Sequence, residues 1–308
     1  SARAVTSGAE SDRFPAYSPD GATLVYINGG RLTFEGADGG AARVLAPTLA
    51  AIGIPAWSPD GRTIAVWSSA KVDPPEYAGT QLFTVDVASG SARAVSRVYV
   101  GFPPADPPQW SPDGRSIAYH WASESGVSFI RQDGGAVTTA DGEVTVPIGA
   151  IGSIVVTGVA WAPDGSKLLV AYHPYEAPSQ PLLATFDPTT QALTPVAASL
   201  PAATTGWVAW SPHGQHVAIN LTIGSRTLVA VLRPDGSDVL VLDADSPASD
   251  VLAGWSPDST RLLVTRGERG LQPTSVWSLG IDAAGDARQE SPAGMDAFDP
   301  SWQALPAA

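Results

Sequence analysis

The sequence has no cysteine, few charged residues and no long uninterrupted run of apolar residues. The absence of cysteine excludes disulfides and thiolate metal sites. Lys and Arg number 17 against 30 Asp and Glu, which gives a net charge of −13 with no basic cluster. Nucleic acid and anionic lipid are therefore excluded as expected partners, because both need clustered positive charge. The most apolar stretch, Ile148–Trp161, is broken by Gly, Ser and Thr, so no membrane insertion is expected.

Glycine and proline are plentiful, with 31 and 28 residues spread along all 308 positions. Such a spread is typical of many turns rather than of one disordered tail. A closed all-β architecture of this length can form one domain, so we expect residues 1–308 to be a single domain.

One five-residue motif recurs along the chain at intervals of about 40 to 53 residues. Its six copies are Tyr17–Gly21, Trp57–Gly61, Trp110–Gly114, Trp161–Gly165, Trp210–Gly214 and Trp255–Ser259. Repeats of this period indicate a solenoid, a propeller or an array. Ser-Pro-Asp-Gly suits a tight turn, because Pro fixes its φ, Asp bonds locally and Gly accepts positive φ. We therefore interpret the motifs as hairpin corners rather than as parts of a ligand site, and His213 and Ser259 as tolerated replacements.

Short alternating runs of β-branched and apolar residues follow each motif, such as residues 81–87, 92–96 and 227–233. With the segment that leads into the aromatic residue, each unit holds four predicted strands. No stretch shows helical spacing. Four-stranded units repeated around a circle describe a β-propeller, in which the aromatic before each corner points into the interface between units.

The segments Ile54–Val66 and Pro107–Tyr119 resemble the repeat of the TolB-like (WD40-like, Pro-Asp repeat) β-propeller family. The resemblance covers nearly the whole chain. It implies a propeller of six four-stranded antiparallel blades and a location outside the cytoplasm, periplasmic or secreted.

The two chain ends bear on the number of blades. Residues 298–302 match the start of another unit, and Ser1–Thr6 matches the fourth-strand sequence at residues 91–96. We predict six blades, with a ring closed by the two termini, and keep seven blades as the alternative.

Candidate binding residues lie in the irregular connections after the second strand of each unit and between units. These connections, at residues 68–80, 97–108, 120–126 and 173–180, are predicted as loops around the mouth of the channel, where function concentrates in such folds. Aromatic and polar side chains around a concave mouth suit a peptide, a glycan or a protein segment. The candidates are Trp67, Tyr77, Tyr99, Phe102, His120, Trp121, His173, Tyr175, Glu176 and Trp207.

Two histidines, His120 and His173, fall at comparable places in neighbouring units. Imidazoles so placed can share a divalent metal or act as acid and base. No third ligand stands out, so neither a metal site, nor a cofactor, nor a catalytic residue is assigned. The acidic segment Asp243–Asp250 is interpreted as a solvated loop, because its spacing matches no standard Ca²⁺ loop.

Three functions remain open. The first is a non-enzymatic binding or scaffold module, which we expect to be monomeric and to recognise a protein, peptide or glycan at the channel mouth. The second is an enzyme at the same face, such as a metal-assisted polysaccharide lyase. The third is an accessory domain of a larger peptidase or sensor protein.

Overall fold

The computed structural model describes ten segments of the chain, namely residues 12–71, 78–100, 107–120, 126–131, 143–147, 154–190, 192–267, 274–282, 286–292 and 300–302. Strands and turns make up these segments. Within them, no helix has the length and apolar character needed to cross a membrane.

The strands form consecutive antiparallel sheets, each of which uses neighbouring stretches of the chain. Sheet 1 holds β1 Asp12–Tyr17, β2 Thr23–Asn28, β3 Arg31–Gly36 and β4 Arg43–Val44. Sheet 2 holds β5 Ala51–Trp57, β6 Thr63–Lys71, β7 Ala78–Asp86, β8 Ala92–Ala94 and β9 Tyr99–Val100. Sheet 3 holds β10 Gln109–Trp110, β11 Ser116–His120, β12 Gly126–Arg131 and β13 Glu143–Pro147.

The second half of the chain repeats this arrangement. Sheet 4 holds β14 Ile154–Trp161, β15 Leu168–Pro174, β16 Leu182–Asp187 and β17 Ala192–Val196. Sheet 5 holds β18 Thr204–Trp210, β19 Val217–Ile223, β20 Arg226–Leu232 and β21 Leu240–Val241. Sheet 6 holds β22 Ser249–Trp255, β23 Arg261–Gly267, β24 Ser275–Gly280 and β25 Ala287–Gln289.

The all-β propeller architecture with four-stranded antiparallel sheets is confirmed. The prediction that every blade has four strands is not. Five sheets have four strands, whereas sheet 2 has five. Strands β8 and β9 both pair with β7, at different positions along it, so the extra strand lengthens the outer edge. The predicted loops at residues 68–80 and 97–108 are corrected accordingly, because β6 runs on to Lys71 and β9 lies inside the second loop. The described residues contain no seventh sheet.

The repeated motif forms the corner between the first two strands of each sheet, as predicted. In the first corner, the Gly21 N–H donates to the Ser18 carbonyl at 2.8 Å and Gly21 has a φ of 70°. The Ser18 hydroxyl donates to the Asp20 carboxylate at 2.6 Å, and Asp20 also accepts the Ala22 N–H at 3.0 Å. In the sixth corner, Ser259 replaces Gly and keeps the positive φ, at 61°. Its hydroxyl accepts the His213 N–H of the preceding corner at 3.1 Å.

At four of the six corners, the tryptophan before the corner forms a hydrogen bond to the preceding sheet. The Trp57 indole N–H donates to the Ala16 carbonyl at 3.0 Å, and the Trp110 indole donates to Ala56 at 3.0 Å. Trp161 and Trp255 make the same bond, to Gln109 and Ala209. The predicted position of these rings between neighbouring units is therefore confirmed.

Five hydrophobic clusters hold consecutive sheets together, one for each pair from sheets 1 and 2 to sheets 5 and 6. In each cluster, buried apolar side chains from the second strand of one sheet pack with those from the second strand of the next. In this way each sheet buries its apolar faces against its neighbours.

Sheet 1 has one face that is not packed on sheet 2, and sheet 6 has one face that is not packed on sheet 5. The described residues form no hydrophobic cluster on these two faces. On sheet 1 this face carries buried Tyr26 and Glu35, and the tyrosine hydroxyl donates to the carboxylate at 3.0 Å. Burial, and then this bond to Glu35, raise the pKa of Tyr26 above its usual value. On sheet 6, Arg261 forms an ion pair with Asp286 at 2.6 Å. We call these two faces the polar seam.

Candidate functional site

A cavity of about 1360 Å³ lies where the innermost strands of all six sheets converge. Residues from β1, β5, β10, β14, β18 and β22 line it, together with Pro300 and Ser301. We call this cavity the central channel. Its volume exceeds the range of about 300–1,000 Å³ that is usual for small-molecule pockets, so it has room for an extended ligand.

Bulges in the innermost strands shape the channel lining. The pairing register shifts between residues 13 and 16, 52 and 56, 156 and 158, 205 and 208, and 252 and 254. The residues inside these shifts all line the channel, including Phe14, Pro55, Thr157, Trp207 and Ala253. A bulge re-aims side chains and leaves an extra residue out of the ladder. The five bulges therefore turn toward the channel side chains that a regular strand would place elsewhere.

The lining carries no Asp, Glu, Lys or Arg among the described residues, although the chain has a net charge of −13. The titratable side chains of the lining are Tyr17 and His120. The described lining thus has no acidic, lysine or arginine side chain, although the protein is strongly acidic, and a charged group beside this lining would lose hydration without meeting such a partner.

The two sides of the channel differ in chemistry. Sheets 1–3 and the residues that lead into β10 supply a proline–aromatic wall. Its members are Phe14, Pro15, Tyr17, Pro19, Pro55, Trp57, Pro59, Pro107, Pro108 and Trp110. Because the Trp57 and Trp110 indoles bond to neighbouring sheets, this wall is fixed in place.

Sheets 4–6 supply a hydroxyl wall, whose threonines are Thr157, Thr205, Thr222, Thr227 and Thr265. Thr157 and Thr205 share a hydrogen bond of 2.5 Å, and Thr222 and Thr227 share one of 3.1 Å. Thr265 makes no side-chain hydrogen bond within the described part of the chain, and it lies opposite Val251 in the β22–β23 pair.

Asn220 also borders the channel, but its side chain forms hydrogen bonds to the backbone of sheets 5 and 6. Its amide NH₂ group donates to the Asp250 carbonyl at 3.2 Å, and its oxygen accepts the Leu252 N–H at 3.2 Å. A third bond, to the Leu228 carbonyl, is 3.4 Å long. The side chain is buried. Its hydrogen bonds connect sheets 5 and 6, so it has a structural role.

Two of the ten predicted site residues, His120 and Trp207, line the channel. His120 ends β11 and is 7 % exposed. Trp207 lies in the bulge of β18 and also packs against the cluster between sheets 5 and 6. Both were predicted because they follow or interrupt a strand next to an irregular connection, and their role in binding stays a prediction.

Trp67 and Tyr99 lie in the hydrophobic cluster between sheets 2 and 3, not in the lining. Trp67 is 1 % exposed and meets Tyr99 and Tyr119 edge to face. The hydroxyls of Tyr99 and Tyr119 lie 3.1 Å apart. These side chains are core, because alternation along β6 turns Trp67 toward sheet 3.

His173, Tyr175 and Glu176 lie at the end of β15 and beyond it. His173 is buried, and its Nδ1 donates to the Pro174 carbonyl at 2.9 Å. Tyr175 is 69 % exposed and Glu176 is also exposed. None of the three is among the described residues that line the channel. Tyr77, Phe102 and Trp121 lie outside the described residues, so their predicted role stays a prediction.

Among the described residues, no group of three or more His, Asp or Glu side chains is placed to hold a metal ion. His120 is the single His, Asp or Glu of the described lining.

The acidic segment Asp243–Asp250 is not a freely solvated loop, which corrects the interpretation from sequence. Asp250 is 1 % exposed, and Arg266 binds it through two hydrogen bonds of 2.7 Å. Arg266 also pairs with Asp243 at 2.5 Å and stacks on the Trp277 ring at 4.5 Å. The arginine therefore pairs with two of the three carboxylates of this segment, Asp243 and Asp250.

No model of a known protein family matches the chain, and no curated protein matches it. Solved structures do. The chain is similar to an oligogalacturonate lyase in complex with manganese, with a TM-score of 0.66 and 15% identity over 90% of this chain and 78% of the other. It is also similar to a protein described as TolB from Agrobacterium tumefaciens, with a TM-score of 0.54 and 21% identity over 83% and 90%.

TolB from Acinetobacter baumannii gives a TM-score of 0.54 and 15% identity over 95% of this chain and 66% of the other. The resemblance to TolB-like propellers is thereby confirmed at the level of the fold. At such identities the likeness shows the fold alone, and function has to be argued from the channel.

Proposed function

We propose that this chain is a non-enzymatic binding propeller that holds an uncharged ligand in the central channel. One observation carries the proposal. A cavity of about 1360 Å³ bordered by all six sheets has no charged side chain in its described lining. A rigid, mostly apolar cavity with a few polar groups is the usual form of a binding site.

We also propose that the six sheets close into one ring, with the two chain ends at the polar seam. The shared lining supports this, because Pro300 and Ser301 border the same cavity as β1 and β22. We propose further that the protein acts as a monomer outside the cytoplasm. Sedimentation tests whether the protein is a monomer, since a monomer has a mass of 31.6 kDa.

A metal-assisted lyase at the same face is the competing function, favoured by the manganese-bound lyase of similar fold. Such an enzyme needs a set of metal ligands, and His120 and His173 are the candidates from the sequence. Titration with Mn²⁺ decides between the two proposals. Binding at a ratio of one that is lost in the variant His120→Ala, His173→Ala would support the enzyme and count against the present proposal.

Binding in the channel is tested with one substitution at two places. Val251 lines the channel and is 50% exposed, whereas Val44 is 38% exposed on β4 at the outer edge of sheet 1. Both variants, Val251→Glu and Val44→Glu, are expected to fold, because each side chain already reaches solvent. Arrays of neutral peptides and glycans provide the ligands.

We expect Val251→Glu to weaken binding at least about tenfold, since a ligand would have to cover an unpaired carboxylate. Val44→Glu should bind as the parent chain does. Equal binding by all three proteins would overturn the proposal.

A further inference from the structure

We infer that the ligand of the central channel is an uncharged, proline-rich polypeptide segment in the polyproline II conformation. This inference rests on the proposed function and specifies the ligand. It follows from the charge, the free hydrogen-bonding groups and the two walls of the channel.

The lack of charged side chains in the described lining disfavours peptides that carry acidic or basic residues. An acidic or basic side chain in the channel would be desolvated beside a described lining that offers no Asp, Glu, Lys or Arg. Removing an ion from water without a partner of opposite charge is unfavourable. The segment that enters is therefore neutral along its length.

Hydrogen bonding favours a ligand with few donors. Asn220 already makes three hydrogen bonds within the fold, and four threonines of the hydroxyl wall bond in pairs. A sugar would carry many hydroxyls into this surface, and each unpaired one would cost free energy. A proline has no N–H and offers only a carbonyl acceptor, which a single hydroxyl donor such as Thr265 can satisfy.

Shape favours the same ligand. Proline-rich segments form an extended helix with three residues per turn and dock on grooves lined by aromatic side chains. The proline–aromatic wall offers Tyr17, Trp57 and Trp110 on one side of the channel. The hydroxyl wall, from sheets 4–6, lines the other side and offers the Thr265 hydroxyl as a donor. A preformed helix of this kind loses little conformational entropy on binding.

The experiment uses the full chain and calorimetric titration with defined probes. The test probe is an acetylated and amidated peptide of about twelve residues in the repeat Pro-Pro-Ala. The matched probes are the same peptide with Gly at each Pro position, the same peptide with two Ala changed to Glu, and a neutral malto-oligosaccharide. Val251→Glu and Val44→Glu are titrated in parallel.

We expect the proline peptide to bind at least about tenfold more tightly than the glycine and glutamate peptides, and more tightly than the oligosaccharide. Thr265→Val should weaken binding of the proline peptide about three- to tenfold. Thr265→Ser should bind the peptide as the parent chain does, because the serine keeps the hydroxyl donor. A loss that Thr265→Ser does not restore would contradict the role of the hydroxyl.

The ligand class and the location of the site can be contradicted separately. If the glycine peptide or the oligosaccharide binds as tightly as the proline peptide, and Val251→Glu still abolishes binding, the ligand class is wrong and the channel remains the site. If binding of every probe is the same in the parent chain and in Val251→Glu, the channel is not the site and both proposals are overturned.

Discussion

Gly158 and Gly254 occupy the same place in two innermost strands, directly after the bulges of β14 and β22. A Cβ atom on Gly158 would lie 2.8 Å from the Gly206 carbonyl oxygen and 3.1 Å from the Val208 nitrogen. A Cβ atom on Gly254 would meet nothing within 4 Å. The missing side chain therefore matters at one position, where β18 approaches β14 closely.

We expect Gly158→Ala to lower the free energy of unfolding by about 1–3 kcal/mol, because the new methyl group overpacks against backbone that cannot move freely. Gly254→Ala should change it by less than about 0.5 kcal/mol. Urea unfolding of both variants measures the difference. Similar losses in the two proteins would mean that the approach of β14 and β18 is not the cause.

Asn220 is a second residue whose role is set by contacts far along the chain. Its side chain bonds to the backbone of residues 228, 250 and 252, and it is 5% exposed. Asn28 provides a comparison, since it lies on β2, is partly buried, and its side-chain amide donates one hydrogen bond, to the Asp12 carboxylate at 2.7 Å.

We expect Asn220→Ala to lower the free energy of unfolding by about 2–4 kcal/mol, because buried backbone groups lose their partners. Asn28→Ala should cost less than about 1 kcal/mol, since water can replace the lost partner. Thermal and urea unfolding of the two variants provide the measurement. A cost at Asn220 no larger than at Asn28 would refute the role of Asn220 as a connection between sheets.

Among the elements, the repeated corners share an electrostatic property. The corner carboxyls have a lowered pKa, because they accept hydrogen bonds from serine hydroxyls and backbone N–H groups. They are Asp20, Asp60, Asp113, Asp164 and Asp258. The serine hydroxyl has the largest effect except at Asp164, where the Ser166 N–H leads. The pKa of Asp258 falls to about 2.

A carboxyl whose pKa is lower in the folded chain stabilises the fold above its unfolded pKa, which is about 4. That stabilisation is lost as the pH falls through the folded value. We therefore expect the melting temperature to drop steeply between about pH 4 and pH 2. Replacing the five residues with Asn should lower the melting temperature at pH 7 and flatten the acid dependence.

A second set of substitutions serves as the control. Asp38, Asp245 and Asp282 accept no hydrogen bond within the described part of the chain, so Asn at these positions should leave the acid dependence unchanged. An equally steep acid transition in the corner variant would show that the corners do not cause it.

At the scale of the whole molecule, the sheets differ in how many clusters support them. Sheets 2, 3, 4 and 5 each belong to two hydrophobic clusters, one on either face. Sheets 1 and 6 each belong to one, since their other faces form the polar seam. Local stability follows the amount of buried apolar contact.

We expect native-state hydrogen exchange to show lower protection for β2 and β23 than for β6, β15 and β19, because the former lie in sheets with one cluster each. Exchange measured by mass spectrometry on the parent chain resolves these strands. Uniform protection across the five strands would mean that the polar seam is as stable as the apolar interfaces.

Much of the fold was predictable because its signals are local. The corner motif carries its own turn geometry, as the bonds among Ser18, Asp20 and Gly21 show. The alternation of apolar residues along segments such as β2 and β20 predicts strands without reference to the rest of the chain. The extra strand β9 was missed, since Tyr99–Val100 is too short to carry a period.

The candidate site was predictable in part. His120 and Trp207, predicted from their places beside irregular connections, lie in the channel lining, whereas Trp67 and Tyr99 lie in the core. A binding role stays a prediction. The sequence does not separate the two positions, because an aromatic residue near the end of a strand has the same local sequence whether it faces the channel or the neighbouring sheet. The bulges decide between these faces, and no signal in one strand by itself shows them.

The sequence by itself determined the repeating unit, its strands and its corners, because each depends on contacts between residues close along the chain. Only the tertiary structure decided what the channel is made of. Its lining joins residues from Phe14 to Ser301, and their neutrality and two-sided chemistry exist only once six distant strands converge. A net charge of −13 describes the sum of the side chains, whereas the binding surface depends on which of them the bulged inner strands turn inward.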